Sequence, residues 1–191
     1  MSAPGRRLFF ALWPDEAARA ALLTATSAAM TAAGGRAVAM HNLHVTLAFL
    51  GAVPEQRLDE LHHMADQVRR SASARAPLVL QFEWLEHWVR PQILVAVGHA
   101  TSPAAGALAE ALKTATLAAG FSPDLKPFQA HVTLARKVSR AASAPIGEPV
   151  AWRFDAFALI ESRTEARGPS YSIVHSYPLV EPDNSHGQPR N

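Results

Sequence analysis

Two short segments of the chain carry the same five residues, and both contain side chains that can transfer protons. The string His-Val-Thr-Leu-Ala begins at His44 and again at His131. Imidazoles change protonation near neutral pH, so a neutral and a protonated histidine can act as general base and general acid. Thr46 and Thr133 add hydroxyl donors that can stabilise charge on phosphoryl oxygens. Two imidazoles and two hydroxyls around one phosphorus predict phosphodiester cleavage without a metal ion.

Alternation along a strand predicts which side chains of each repeat share a face. Residues i and i+2 of a strand point to the same side of a sheet. Phe49 is therefore expected opposite His44, and Arg136 opposite His131 unless the strand ends or bulges there. One histidine and threonine alone would be ordinary half-buried polar residues, and it is the duplication that favours a shared site. The predicted site face contains His44, Thr46, Ala48, His131, Thr133 and Ala135.

Hydrophobic periodicity and Gly/Pro punctuation predict an alternating order of strands and helices. The segment with Pro145, Gly147 and Pro149 is interpreted as a loop. The predicted strands are Arg7–Trp13, His44–Leu50, Leu78–Trp88, Gln92–Val97, His131–Arg136, Trp152–Glu161 and Tyr171–Leu179, and the predicted helices are Asp15–Ala33, Pro54–Ser71 and Pro103–Ala119.

This order predicts an α+β protein with two pseudo-symmetric lobes that pack as one domain over residues 1–180. The lobes are expected to meet near residue 90, since no low-complexity linker separates the two halves. Residues 181–191 are polar and aperiodic and are interpreted as a disordered tail. A pseudo-twofold axis between the lobes would bring both His-Thr pairs to one cleft.

Composition excludes several classes of protein. The 191 residues are 49% hydrophobic with a mean hydropathy of +0.01, which is sufficient for a folded core. No apolar run approaches the roughly 18 residues of a membrane span, so we expect no membrane association. The chain has no cysteine, which excludes a disulfide scaffold, a thiolate zinc site and a cysteine nucleophile. The apolar stretch after Arg6 and Arg7 is too short for a signal peptide, which indicates a cytoplasmic protein. A net charge of +2 is too small to identify nucleic acid as a partner.

Longer strings around the two repeats resemble the 2H phosphoesterases, and among them the RNA 2′,3′-cyclic phosphodiesterases, also called 2′-5′ RNA ligases. These strings are RRLFFAL, NLHVTLAFLGAV, KPFQAHVTLAR and GPSYSIVHSYPL, and they cover almost the whole chain. The resemblance implies two antiparallel-rich sheets that form a V-shaped cleft, with helices outside. It implies hydrolysis of RNA 2′,3′-cyclic phosphate ends to 2′-phosphates, with His44 as proton donor to O3′ and His131 as the base for water. The reverse reaction would join RNA ends as a 2′-5′ linkage without ATP.

Residues flanking the second repeat are further candidates for binding the substrate. Arg136 matches the family's usual arginine and is a candidate phosphate ligand. Lys126 could contact phosphate, and Phe128 could stack on a base or pack in the core. Lys126 stands where the family usually has arginine and Ala130 where it commonly has proline, so these flanking contacts differ from the family pattern. We expect no metal ion and no cofactor.

Two other functions remain open at this point. The same fold could hydrolyse a small cyclic nucleotide or a cyclic ADP-ribose phosphate, and substrate length would discriminate that activity. It could also be a non-catalytic module that binds nucleotides or RNA, although both intact repeats favour catalysis. The expected partner is an RNA or oligonucleotide that ends in a 2′,3′-cyclic phosphate, bound by a monomeric enzyme.

Overall fold

The computed structural model describes residues 5–72, 77–98, 102–124, 126–165 and 168–180. Nine strands and three α-helices lie within these ranges, with short 3₁₀ turns at 40–42 and 55–57. In chain order the elements are β1 (Arg6–Leu12), α1 (Glu16–Ala33), β2 (Arg36–Ala37), β3 (Val45–Val53), α2 (Leu58–Ser71), β4 (Leu78–Trp88), β5 (Ile93–Val97), α3 (Pro103–Ala118), β6 (His131–Arg136), β7 (Ala144–Phe154), β8 (Ala156–Glu165) and β9 (Gly168–Pro178).

The strands form two antiparallel sheets with matching strand orders. The four-stranded sheet has the order β3-β1-β8-β9, and the five-stranded sheet has the order β2-β6-β5-β4-β7. If the two-residue β2 is left out, the strand that carries the repeat, β3 or β6, is the edge strand of its sheet. Its neighbour is β1 or β5, and in each case one helix, α1 or α3, lies between the two strands in the sequence. This correspondence confirms the predicted α+β fold with two pseudo-symmetric lobes.

Two helices connect the lobes, because each follows a strand of one sheet and packs against the other sheet. Helix α1 follows a strand of the four-stranded sheet but packs on β7 of the five-stranded sheet. The indole Nε1 of Trp152 on β7 donates a 2.9 Å hydrogen bond to the carbonyl oxygen of Ala18 in α1. Helix α3 follows the five-stranded sheet and packs against β3 of the other. The two sheets therefore share one core.

The helix ends follow local sequence signals. Asp15 caps α1 by accepting a 2.7 Å hydrogen bond from the backbone N–H of Ala18. Ser102 caps α3 in the same way, and Pro103 occupies the first turn, where no intrahelical N–H bond is lost. The principal core buries side chains from both sheets and from all three helices, among them Phe10, Leu22, Leu61, Leu112, Leu134 and Trp152.

Three sequence predictions about the fold are corrected. The boundary near residue 90 is wrong, because Arg90 lies in the turn between β4 and β5, which pair within one sheet. The loop interpretation around Pro145 is also wrong, since β7 spans Ala144–Phe154 at the sheet edge, where a missing N–H is tolerated. The single strand Trp152–Glu161 is divided at Asp155 into β7 and β8, which belong to different sheets.

Other predictions have less decisive outcomes. The predicted bounds of the helices and remaining strands agree with the structure to within about four residues at each end, and the short β2 was not predicted. The predicted disordered tail at 181–191 lies outside the described residues. Over the described ranges, no helix is long and apolar enough to cross a membrane.

Candidate active site

Both repeat-bearing strands contain a β-bulge at the same position of the repeat. In the pairing of β1 with β3, the register shifts between Phe10↔Ala48 and Ala11↔Thr46. In the pairing of β5 with β6, it shifts between Leu94↔Ala135 and Val95↔Thr133. The extra residue is thus the leucine of each HVTLA string. A bulge interrupts side-chain alternation and turns the following residues to new faces.

The bulges correct the predicted facing of the residues that follow the threonines. Ala48 and Ala135 were expected beside the histidines. Both are buried in the principal core, but Ala48 also lines the cavity with His44, whereas Ala135 does not. Phe49 was expected on the opposite face, yet it is 52% exposed and lines the same cavity as His44. Arg136 also lines this cavity, so the alternative of a bulging strand is the one that the structure shows.

His44 directly precedes β3, and both of its ring nitrogens are in hydrogen bonds. Its Nδ1 lies 2.7 Å from the carbonyl oxygen of Asn42, and its Nε2 lies 3.1 Å from Oγ1 of Thr46. Trp13 stacks on the imidazole at 5.6 Å between ring centroids and an interplanar angle of 20°. Phe9 and Tyr171 contact it from other sides, with centroids at 5.0 and 5.2 Å.

His131 has an equivalent backbone contact in the other lobe. Its Nδ1 lies 2.8 Å from the carbonyl oxygen of Gln129, two residues earlier, as Asn42 is two residues before His44. A carbonyl oxygen only accepts hydrogen bonds, so each Nδ1 is the protonated nitrogen of the neutral imidazole. The Nε2 of both rings is therefore the proton acceptor of the neutral form. The Trp88 indole packs against His131 with 4.6 Å between ring centroids.

Burial lowers the pKa of both histidines. The pKa of His44 falls to about 4, chiefly by desolvation. Its hydrogen bond to the Asn42 carbonyl partly offsets this effect, and the positive charges of Arg136 and Arg19 lower the pKa further. Desolvation also lowers the pKa of His131, and its hydrogen bond to the Gln129 carbonyl partly offsets this effect. In the free protein both imidazoles are consequently neutral near pH 7, and an anion beside them would favour their protonation.

A buried arginine lies behind the His44 ring. The Arg19 guanidinium lies over Trp13 at 4.8 Å from the ring centroid, and Trp13 in turn stacks on His44. Arg19 Nε donates a 3.0 Å hydrogen bond to the carbonyl oxygen of Leu43, which precedes His44. Desolvation lowers the pKa of Arg19. This contact fixes the backbone next to His44 and adds positive charge on the side of the ring away from the cavity.

A cavity of about 840 Å³ runs between the two sheets, and we refer to it as the central groove. It brings together the histidines and threonines of both repeats and the three candidate substrate contacts. Lys126 and Phe128 line it from the segment that precedes β6, and Phe128 also packs against the principal core. The Lys126 ammonium lies 3.5 Å from Asp124, and Lys113 of α3 donates to the Lys126 carbonyl oxygen. The predicted residues on its wall are His44, Thr46, Lys126, Phe128, His131, Thr133 and Arg136.

The groove offers a poor set of metal ligands. Within the described part of the chain, no group of three or more histidine, cysteine or carboxylate side chains could hold a metal ion. Asp124 is the carboxylate on the groove wall, and it lies beside Lys126.

Several residues of the site were not identified from the sequence. Trp13, Trp88 and Tyr171 form the aromatic surroundings of the two histidines, and Asn42 and Gln129 supply the carbonyl contacts. Tyr171 belongs to the GPSYSIVHSYPL string, and the resemblance of that string to the family could have identified Tyr171 as a site residue. The two carbonyl contacts come from the backbone, so side-chain identity could not reveal them.

The fold and groove define a class of protein, namely a duplicated two-lobed α+β protein with one His-x-Thr repeat from each lobe facing a common cavity. The sequence profile of the 2′-5′ RNA ligase superfamily matches residues 13–166. The chain belongs to this family, which confirms the resemblance noted from the sequence.

Relatives with known names and structures agree with this assignment. The chain is 30% identical over 186 residues to an RNA 2′,3′-cyclic phosphodiesterase of Thermus thermophilus. The matched region covers 91% of this chain and 90% of the relative. It is 31% identical over 146 residues to the Escherichia coli protein of the same name, covering 76% of this chain and 79% of the relative. The crystal structure of E. coli LigT complexed with 3′-AMP superposes with a TM-score of 0.81 at 25% identity, covering 94% of this chain and all of the other.

Proposed function

We propose that this protein hydrolyses 2′,3′-cyclic phosphate ends of RNA to 2′-phosphates without a metal ion. The observation that carries the proposal is the placement of both His-x-Thr repeats on the wall of one groove, each histidine held through Nδ1 by a backbone carbonyl. The curated relatives are named for this activity, and one solved relative is a complex with a nucleotide.

In the proposed reaction the two histidines act on opposite sides of the phosphorus. Nε2 of His131 accepts a proton from water as the water oxygen attacks phosphorus. The bond between phosphorus and O3′ breaks, and Nε2–H of His44 gives its proton to O3′. One water molecule is added, and the phosphate remains on O2′. The assignment of acid and base follows the family resemblance. The two histidines have equivalent positions in the pseudo-twofold arrangement, so their positions alone do not distinguish the two roles.

His44 can act as a general acid only after its imidazole is protonated, and the bound substrate favours that protonation. With a pKa of about 4 the free imidazole is neutral near pH 7 and holds no proton on Nε2. A phosphodiester anion within hydrogen-bond reach raises the pKa of a neighbouring imidazole, because opposite charge favours the protonated form. Arg136 then offsets the remaining phosphoryl charge, and Thr46 and Thr133 donate hydrogen bonds to the phosphoryl oxygens.

Microscopic reversibility extends the proposal to RNA joining. The 5′-hydroxyl of a second RNA end would replace water as the nucleophile. Nε2 of His131 would accept its proton as it attacks the cyclic phosphate, and His44 would protonate the departing O3′, which leaves a 2′-5′ linkage. Only bonds already present are exchanged, so this ligation would need no ATP.

The decisive experiment incubates the protein with EDTA and an oligonucleotide that ends in a 2′,3′-cyclic phosphate, and then resolves 2′- from 3′-phosphate products. We expect only the 2′-phosphate, at a rate that EDTA does not change. Loss of activity in EDTA with recovery on adding zinc or manganese would contradict the proposed mechanism.

The histidine variants test the assigned chemistry directly. His44→Ala and His131→Ala should each reduce kcat by about 10²–10⁴-fold, the usual contribution of general acid–base catalysis. The exposed His63 on α2 lies outside the groove, so His63→Ala is the matched control and should keep wild-type turnover. A near-normal rate for either groove variant would remove that histidine from the reaction.

A further inference from the structure

The central groove continues into a second depression of about 390 Å³, which we call the upstream pocket. The two cavities share Phe49, Arg136, Pro169 and Tyr171, so they are contiguous. Neither the histidines nor the threonines of the two repeats line the upstream pocket. Its remaining wall comes from β1, β3 and β8, namely Arg7, Leu8, Phe9, Gly51, Ser162 and Thr164.

Phe49 forms an exposed aromatic surface between the two cavities. Its side chain is 52% exposed although the ring is large and apolar. It packs against the buried Phe9 ring at 5.6 Å between centroids, which holds it in place. The bulge in β3 turns Phe49 to the groove side, so its exposure follows from the same feature that shapes the site. A held aromatic ring beside a phosphate site is suited to stacking on a nucleobase.

Positive charge on the pocket wall has no acidic partner among the described residues. Arg7 and Arg136 are both exposed, and neither has an ion pair or hydrogen bond with any described side chain. Their neighbour Arg6, in contrast, pairs with Glu161 at 2.8 Å. Ser162 and Thr164 add hydroxyl donors on the adjacent strand β8. Guanidinium and hydroxyl groups together suit a phosphodiester, which Arg can bind in a bidentate manner.

We infer that the upstream pocket binds the penultimate nucleotide of an RNA chain, with its base on Phe49 and its linking phosphate at Arg7. This inference rests on the proposed function, because the central groove must first hold the terminal cyclic phosphate. It specifies the substrate as an oligonucleotide of at least two residues rather than a cyclic mononucleotide or another small cyclic ester.

Substrate length provides the test. We would measure kcat/KM for adenosine 2′,3′-cyclic phosphate and for the dinucleotide ApA with a terminal 2′,3′-cyclic phosphate. The wild-type protein should prefer the dinucleotide by tenfold or more, in line with the contribution of one stacked base. Phe49→Ala and Arg7→Gln should each reduce that preference several-fold. Leu117→Ala and Arg153→Gln are matched controls, since both residues are exposed and line neither cavity.

Equal kcat/KM values for the two substrates, or an unchanged preference for the dinucleotide in both variants, would contradict the inference that the upstream pocket binds a nucleotide. A separate binding arm distinguishes this failure from failure of the proposed function. It compares the dissociation constants of 2′-AMP and of ApA with a terminal 2′-phosphate, at two salt concentrations. Tighter dinucleotide binding, with a salt dependence that Arg7→Gln weakens, supports the pocket even if neither cyclic substrate is cleaved. Equal affinity for both ligands overturns it.

Discussion

Nε2 of His44 lies 3.1 Å from Oγ1 of Thr46. Because the Asn42 carbonyl holds the His44 proton on Nδ1, the Thr46 hydroxyl donates to Nε2 while the imidazole is neutral. Protonation of Nε2 reverses this bond, and the hydroxyl hydrogen becomes free to donate elsewhere. The protonated state that can supply a proton to O3′ is thus also the state in which Thr46 can donate to a phosphoryl oxygen.

Thr46→Val and Thr133→Val should lower kcat more than they raise KM. Each hydroxyl is proposed to donate to a phosphoryl oxygen whose negative charge grows in the transition state. Loss of one such donor typically reduces turnover on the order of 10²–10³-fold in a water-excluded site, and less in an open groove. Steady-state kinetics on the cyclic-phosphate oligonucleotide would measure the effect. A role in packing alone would instead lower the melting temperature and leave turnover per folded molecule unchanged.

A bound anion gives a structural test of the same assignment. A crystal soaked with 2′-AMP should place the phosphate about 2.7–3.2 Å from both Thr46 and Thr133. The phosphate should also lie between His44 and His131. A phosphate bound away from these four residues would contradict a shared site for the two repeats.

The His44 imidazole should titrate at a lower pH in the free protein than in its complex with 2′-AMP. Burial lowers the pKa of His44 to about 4, whereas a bound phosphate anion stabilises the protonated ring. Histidine side-chain NMR across pH 3.5–8 would follow both states, and His44→Gln would assign the resonance. A His44 pKa near 6.5 in the free protein would contradict its burial as the controlling influence.

The same lowered pKa predicts that acid destabilises the fold. Between about pH 6.5 and pH 4 the unfolded chain binds a proton at His44 that the folded protein does not. The free energy of unfolding therefore decreases as the pH falls through this range, by roughly 2–4 kcal/mol from this residue. Urea titrations should show a smaller decrease for His44→Gln than for the wild type. An identical decrease in both proteins would contradict the prediction.

The sequence could predict the repeats, most of the elements and the pairing of two lobes, because these depend on local patterns. HVTLA occurs twice, and in each half a strand and then a helix precede it at comparable spacing. The division of the lobes could not be predicted in this way. Strands β8 and β9 at the end of the chain join β1 at its beginning, and residue 155 separates strands of different sheets without a turn signal.

The sequence could predict which side chains face the groove only for the part of each strand in which side chains alternate strictly between the two faces. His44, Thr46, His131 and Thr133 precede the bulges, and their shared cavity agrees with the alternating pattern. Phe49 and Arg136 follow the bulges, so their direction depends on pairing with β1 and β5. A bulge at a leucine has no distinctive residue type, whereas a glycine would have signalled one.

Arg136→Gln should raise KM for cyclic-phosphate oligonucleotides and raise the pKa of His44. The guanidinium lines both cavities, and its charge contributes to the lowered pKa of His44. Without it, less positive charge opposes protonation of the imidazole and less is available to bind phosphate. Arg153→Gln makes the same change in net charge on the exposed face of β7, and it should alter neither quantity. Equal effects of the two variants would indicate a general charge effect rather than a contact in the groove.

Gly35→Ala should destabilise the protein more than Gly120→Ala. Both glycines have positive φ, 82° and 75°, where an L side chain is strained by about 1–2 kcal/mol. A Cβ at Gly35 would also lie 2.7 Å from the carbonyl oxygen of Arg136, whereas nothing lies within 4 Å of one at Gly120. Since Arg136 pairs with Arg36 between β2 and β6, the clash must displace the strand that carries His131. Chemical denaturation should therefore show the larger loss of unfolding free energy for Gly35→Ala, and kinetics a lower kcat for that variant. Equal losses in the two variants would show that β2 moves freely and does not constrain β6.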